Sequence, residues 1–174
     1  MLKEQIAASL EIAFSQHGFT EQSVAQLKTA CNVSLRTLYK HYTSKEMMIV
    51  AALEHRHQRY LQFLGTGHAA SGEQRILDIF DKLNDWMKTF APNGCMSMNA
   101  LAAFPENVEI KTAVVKHKTE VRALLATQAK RPDLSMVLFL LHEGVSSVWP
   151  ILGYDAIISA QDTIKQMMKD NKHA

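Results

Sequence analysis

Apolar residues recur at steps of three and four along nearly the whole chain. In Leu2–His17 they fall at Leu2, Ile6, Leu10, Ala13 and Phe14, which predicts an amphipathic helix. Gly18 stops that helix and Phe19 follows it, the pattern of a glycine cap with a hydrophobic contact. Ser23, with Gln26 three residues on, reads as a capping box for a short helix with the inner stripe Val24, Leu27 and Cys31. Asn32 sits where that helix must end, and Asn tolerates left-handed backbone better than most residues. Ser34 caps another short helix, Leu35 to about His41. Thr43 with Glu46 reads as a further capping box. It opens a helix over residues 44–64 whose apolar positions are Met47, Met48, Val50, Ala51, Leu53, Tyr60, Leu61 and Leu64.

Residues 65–72 are rich in Gly, Ala and Ser and read as a joint between domains. Beyond it, Glu73–Phe90 carries Ile76, Ile79, Phe80, Leu83, Met87 and Phe90 on one face. Pro92-Asn93-Gly94 breaks the pattern. Helices are then expected over 95–104, 106–130, 133–152 and 155–169, punctuated by Pro105, Pro132 and Pro150. Sustained alternation of period two is absent. The pattern predicts an all-α protein of about nine helices. Three in front make a compact N-terminal domain (1–46). A connecting helix (47–64) leads to a larger helical domain (65–174).

The chain has 174 residues, 47% hydrophobic and 21% charged, enough for a sizeable core and too apolar for disorder over most of its length. Cys31 and Cys95 lie far apart with no CxxC partner, which argues against a zinc site or a disulfide framework and leaves no metal or cofactor expected. Leu2-Lys3-Glu4-Gln5 is no apolar leader, and the run 134–141 is far short of the ~20 residues of a membrane helix, so a cytoplasmic setting is expected. Net charge is only +2, but its distribution is uneven. Between Glu21 and Glu46 there is no acid, while Lys28, Arg36, Lys40 and Lys45 all fall there. Such a window suits a phosphate-facing surface, although charge alone leaves chance open. No GxSxG, HExxH or Gly-rich phosphate loop occurs, so no catalytic residues are assigned and no enzyme is expected. His55 and His57 lie two apart on a helix, face different ways and read as surface residues.

Three short helices with a Ser-capped third after a tight turn make a helix-turn-helix pattern, in which the third helix enters the major groove. That helix has suitable chemistry. Arg36, Thr37 and Lys40 donate hydrogen bonds, and Tyr39, His41 and Tyr42 offer rings with polar tips for phosphates. Ser23, Lys28 and Ser34 complete the DNA-facing set. Lys45, in the first turn of the fourth helix, opposes the helix dipole. A bound phosphate would explain it, and so would simple solvation.

Ser23-Val24-Ala25-Gln26-Leu27, then Val33-Ser34-Leu35-Arg36-Thr37-Leu38-Tyr39-Lys40-His41-Tyr42-Thr43-Ser44-Lys45-Glu46, resembles the signature of TetR-family regulators. The resemblance covers about 60 N-terminal residues. It implies phosphate contacts by Tyr39 and Lys45, groove contacts by Arg36, Thr37 and Lys40, and a role for His41 in setting the third helix against the fourth. The sequence departs from the family at Lys28, Cys31 and Asn32, where small Ala, Ala and Gly are usual, and it lacks a basic N-terminal arm for the minor groove. Gly94-Cys95-Met96-Ser97-Met98-Asn99 is similar to a Gly-Cys…Asn motif of such regulators. Cys95 there is either a redox or electrophile sensor or a small apolar residue.

The resemblance also implies a homodimer through the last two helices, a palindromic operator in double-stranded DNA and a small-molecule effector, with no membrane partner. The run Leu134 to Leu141 is apolar on nearly all sides and must bury two faces. Candidate effector-lining residues are Trp86, Met87, Phe90, Met96, Met98, Phe104, His117, Phe139, His142 and Trp149, which suit an apolar or aromatic ligand with one polar handle. Taken singly, each reads more readily as ordinary core. The expected function is a transcriptional repressor released by such a ligand. The alternative is a constitutive DNA-binding regulator with no small-molecule effector.

Overall fold

The computed structural model describes residues 1–67 and 71–169. Of the expected joint at 65–72, residues 68–70 lie outside the described residues. The described residues are all-helical, with nine α-helices: α1 (Leu2–His17), α2 (Val24–Ala30), α3 (Leu35–His41), α4 (Lys45–Gly65), α5 (Glu73–Phe90), α6 (Met96–Ala103), α7 (Val108–Ala129), α8 (Ser135–Leu152) and α9 (Tyr154–Lys169). A 3-10 turn, Pro132–Leu134, leads into α8.

Local chemistry accounts for most of these boundaries. Gly18 adopts φ 74°, its N–H donates to the Phe14 carbonyl at 3.0 Å, and Phe19 returns to stack against Phe14 at 5.2 Å between ring centroids. At α2 both halves of the capping box form. The Gln26 N–H donates to Ser23 Oγ at 3.3 Å, and the Ser23 N–H donates to Gln26 Oε1 at 2.8 Å. Asn32 takes φ 50° in the turn before α3. The expected box at Thr43 and Glu46 is corrected: α4 is capped one residue later by Ser44, whose Oγ accepts from the Met47 N–H at 3.2 Å. Pro150 lies inside α8, within the helix expected over 133–152. A proline costs a helix the hydrogen bond to the carbonyl four residues back. Here that is Ser146, and Gly94 approaches both the Ser146 carbonyl and the Pro150 ring.

The contacts divide the chain into two compact units that interleave in sequence. The first comprises Met1–Tyr60 and Met96–His117, the second Leu61–Cys95 and the described part of Lys118–Ala174. In the first unit Ile6, Leu10, Phe14, Leu27 and Leu38 of the three short helices share one core with Met48, Ile49 and Ala52 of α4 and with Met96, Ala100, Ile110 and Val114 of α6 and α7. Expected outer and inner positions shift slightly: Leu2 and Met47 are exposed, while Ile49 and Ala52 complete the inward face of α4.

In the second unit α5 packs on α8 and α9. Ile76, Ile79, Phe80, Leu83 and Met87 face Leu138, Val145 and Trp149 of α8 and Ile157 and Ile164 of α9 as the buried set. Arg75 is only 2% exposed. Its guanidinium donates to the Leu64 carbonyl at 2.6 Å and to Gln128 Oε1 at 3.0 Å, capping the end of α4 with a charge-assisted bond. By length and composition alone, Pro132–Leu152 is apolar enough to cross a membrane, longer than the run 134–141 suggested. Its inner face belongs to the core of the second unit, and Met136, Leu140 and Ile151 on it are exposed.

Candidate nucleic-acid interface

Recognition of a major groove needs a short helix held rigidly from behind with donors in front. Leu38 holds α3 from behind and is fully buried. Ser34 fixes its start: Ser34 Oγ accepts from the Thr37 N–H at 3.0 Å and lies 2.8 Å from Thr37 Oγ1. The Thr37 hydroxyl therefore has a local partner already. Arg36, Tyr39 and Lys40 are exposed. Three- and four-residue steps put them on one side of the helix. None of the three has an ion-pair partner among the described residues. Tyr39 is 43% exposed, an amphipathic ring left in water.

Around this face, Ser23 is exposed with its hydroxyl spent on the cap, and Lys28 of α2 is half-buried. Lys45 Nζ donates to the Thr20 carbonyl at 3.3 Å. That bond ties the α1–α2 connection to the start of α4 and gives the lysine a purpose besides phosphate. His41 is half-buried beside Tyr42, with ring centroids 6.4 Å apart. Tyr42 is corrected. It is 5% exposed and its hydroxyl donates to the Lys3 carbonyl at 3.1 Å, so it is a core ring that anchors α1 rather than a phosphate contact.

The ten residues expected to line an effector pocket are divided between the units. Met96 and Phe104 pack in or against the core of the first unit, and Met98 is exposed. His117 also lies in the first unit, with its ring edge-on to His57 at 4.2 Å between centroids. The second unit holds Trp86, Met87, Phe90, Phe139, His142 and Trp149. Trp86 stacks between Phe90 at 4.7 Å and Phe63 at 5.6 Å. His142 is buried. Burial pushes its pKa down, against the pull of a hydrogen bond to Glu143, so the imidazole is neutral at pH 7. Burial would raise the Glu143 carboxyl, but the bonds to His142 and to Lys118, 2.6 Å away, outweigh it and bring it to about 2. Lys118 Nζ also lies 3.3 Å from the half-buried Cys95 Sγ.

One buried ion-pair cluster was not expected from the sequence. Glu11, buried on α1, receives Arg56 at 3.1 Å, Arg59 at 2.6 Å and His55 at 2.6 Å from α4. His57 is 5% exposed. The expectation that His55 and His57 are surface residues is therefore corrected. The signal was the run of five long polar side chains from His55 to Arg59, too many for one solvated edge of a helix.

Residues 6–52 match the model of the bacterial regulatory proteins, tetR family. Over those residues the chain is similar to the N-terminal domain of the tetR family. Solved structures of TetR-family regulators share the fold over almost the whole length. A TetR-family transcriptional regulator from Streptomyces coelicolor superposes with TM-score 0.81 at 16% identity, covering 97% of this chain and 95% of that one. The reduced form of NemR from E. coli gives TM-score 0.78 at 22% identity, with 95% of each chain covered. The multidrug binding protein EbrR, solved with proflavin, gives TM-score 0.72 at 16% identity, covering 96% of this chain and 99% of that one. A comparison with curated protein sequences returned no match. The TetR-family match spans α1 to the first turns of α4, and so contains every donor on the exposed side of α3.

Proposed function

We propose that this protein is a homodimeric transcriptional repressor that binds a palindromic operator and releases it when a small apolar or aromatic molecule binds. One observation carries the reading. Arg36, Tyr39 and Lys40 stand on one exposed side of a capped, core-anchored α3, within a TetR-family domain. Residues 1–46 would contact DNA, 47–64 would connect, and 65–174 would dimerise and bind the effector. The exposed Met136, Leu140 and Ile151 of α8 and Ile158 of α9 support pairing with a second copy. Two recognition helices about 34 Å apart would then read successive major grooves. EbrR, with its proflavin, supports an aromatic effector, and the Trp86–Phe90 stack supports its placement in the second unit.

The test is fluorescence anisotropy with duplex DNA across a salt series. Affinity is expected to fall steeply with salt, because each neutralised phosphate releases counterions. Tyr39→Ala and Lys45→Ala should weaken binding to all sequences, and Lys45→Ala, which removes a cation, should also flatten the salt slope by about 1. Arg36→Ala or Lys40→Ala should cost about 1–3 kcal/mol on the best site and relax the sequence preference. Affinity that is independent of salt, or undetectable for every duplex, overturns the reading. Intact affinity in Lys45→Ala leaves that lysine only its bond to Thr20.

A further inference from the structure

The first unit contains a half-open cavity of about 630 Å³. That is within the roughly 300–1,000 Å³ typical of small-molecule sites. None of the ten residues expected to line an effector pocket borders it. Its floor is apolar and comes from four elements: Ala7 of α1, Tyr42 at the end of α3, Val50 and Leu53 of α4, and Ala113 of α7. The floor is firm. Leu53 is 4% exposed, and Tyr42 is held by its bond to the Lys3 carbonyl. The rim carries Lys3 from α1 and Lys116 from α7, together with Glu4 and Glu54.

Glu4 and Glu54 on that rim are both exposed and solvated. Lys3 Nζ sits 5.9 Å from the centroid of the Tyr42 ring, directly above the floor. Lys3 and Lys116 have no carboxylate partner among the described residues. Two flexible ammonium groups on different walls above an apolar, partly aromatic floor match one ligand chemistry. We propose that this cavity binds an amphipathic organic anion, with a flat apolar body on the Tyr42–Leu53 floor and a carboxylate or sulfonate held by Lys3 and Lys116.

The site also borders α3 directly, through His41 and Tyr42. A ligand seated there would touch the end of the recognition helix without passing through the second unit. This consequence rests on the DNA-binding reading, whereas the binding itself does not.

The probe is 8-anilinonaphthalene-1-sulfonate, titrated into the full chain without DNA and followed by the alanine methyl signals in NMR. The Ala7, Ala51 and Ala113 methyls should shift along one saturable curve. The double variant Lys3→Glu/Lys116→Glu should weaken that curve by about tenfold or more. Both lysines are exposed, so an unchanged thermal midpoint shows that the variant folds. N-phenyl-1-naphthylamine, the same body without the sulfonate, should bind both forms equally. The proposal is overturned if those three methyls do not move, if only Ala156 and Ala160 of the second unit respond, or if the charge reversal leaves the sulfonate's affinity unchanged. A following DNA titration separates the two readings: methyl shifts without any DNA affinity leave the cavity standing and remove the repressor.

Discussion

Asn32 holds a left-handed φ of 50° between two helices of seven residues each. Left-handed backbone costs a side chain with a Cβ about 1–2 kcal/mol, less for Asn and nothing for Gly. Asn32→Gly is therefore expected to keep or raise stability, while Asn32→Val should lose about 1–2 kcal/mol in urea unfolding. Equal losses would show that the Asn side chain, not the backbone, matters there. Such residues were legible in the sequence because their reasons are local: Gly18, Ser23 with Gln26, Asn32 and Ser34 each act within four positions. Glu11 was not legible. Its partners lie 44 to 48 residues away, and nothing local says that a glutamate beside Leu10 turns inward. Tyr42 misled for the same reason, since its hydroxyl partner is the carbonyl of Lys3, 39 residues back. Cys31 is the quiet case. Burial pushes its thiol up to about 11, so it stays protonated and inert at neutral pH.

At the scale of the element, helix ends decide more than helix middles. The far end of α4 is closed by Arg75, and Gly67 lies against that guanidinium. A Cβ at Gly67 would fall 2.2 Å from Arg75 Nη1. Arginine ends usually swing away, but this one is buried and bonded to Leu64 and Gln128. Gly67→Ala is therefore expected to cost about 1–3 kcal/mol by prying a charged donor off a buried carbonyl. Hydrogen exchange of the last turn of α4 should rise with it, and unaltered exchange would mean the guanidinium relocates freely. Periodicity found the nine helices seen among the described residues, yet it mis-set the inward face of α4. Met47 and Ile49 are equally apolar, and only packing from α1, α6 and α7 selects Ile49. The same limit explains the effector residues. An apolar position on a helix reads the same whether it meets a ligand, as was expected of Met96, or a core, as Met96 does.

The molecule as a whole carries a pH dependence set by the second unit. The folded Glu143 carboxyl is held down at about 2, below its ordinary 4.5, so its contribution is present above pH 4.5 and is lost as pH falls toward 2. Burial lowers His142 below 6.5, so the fold must give up stability as pH falls below 6.5 and the unfolded imidazole takes a proton. Urea midpoints measured against pH should therefore decline from about 6.5 downward. His142→Gln should remove the upper part of the decline. Glu143→Gln should flatten the part below pH 4.5, although it lowers stability overall by leaving Lys118 buried beside no carboxylate. A wild-type profile flat from pH 7 to 4 would contradict both assignments.

The interleaving of the two units has a consequence for how the protein is made and how it can be engineered. The core behind α3 draws on Met96, Ala100, Ile110 and Val114, so it cannot close until the ribosome has released the chain to about His117. The first sixty residues emerge early but with part of their apolar surface still uncovered. A cassette cut at residue 46 or 64 and grafted onto another protein would carry the same deficit. A transplant that keeps the reading head intact has to take α6 and the start of α7 along with it.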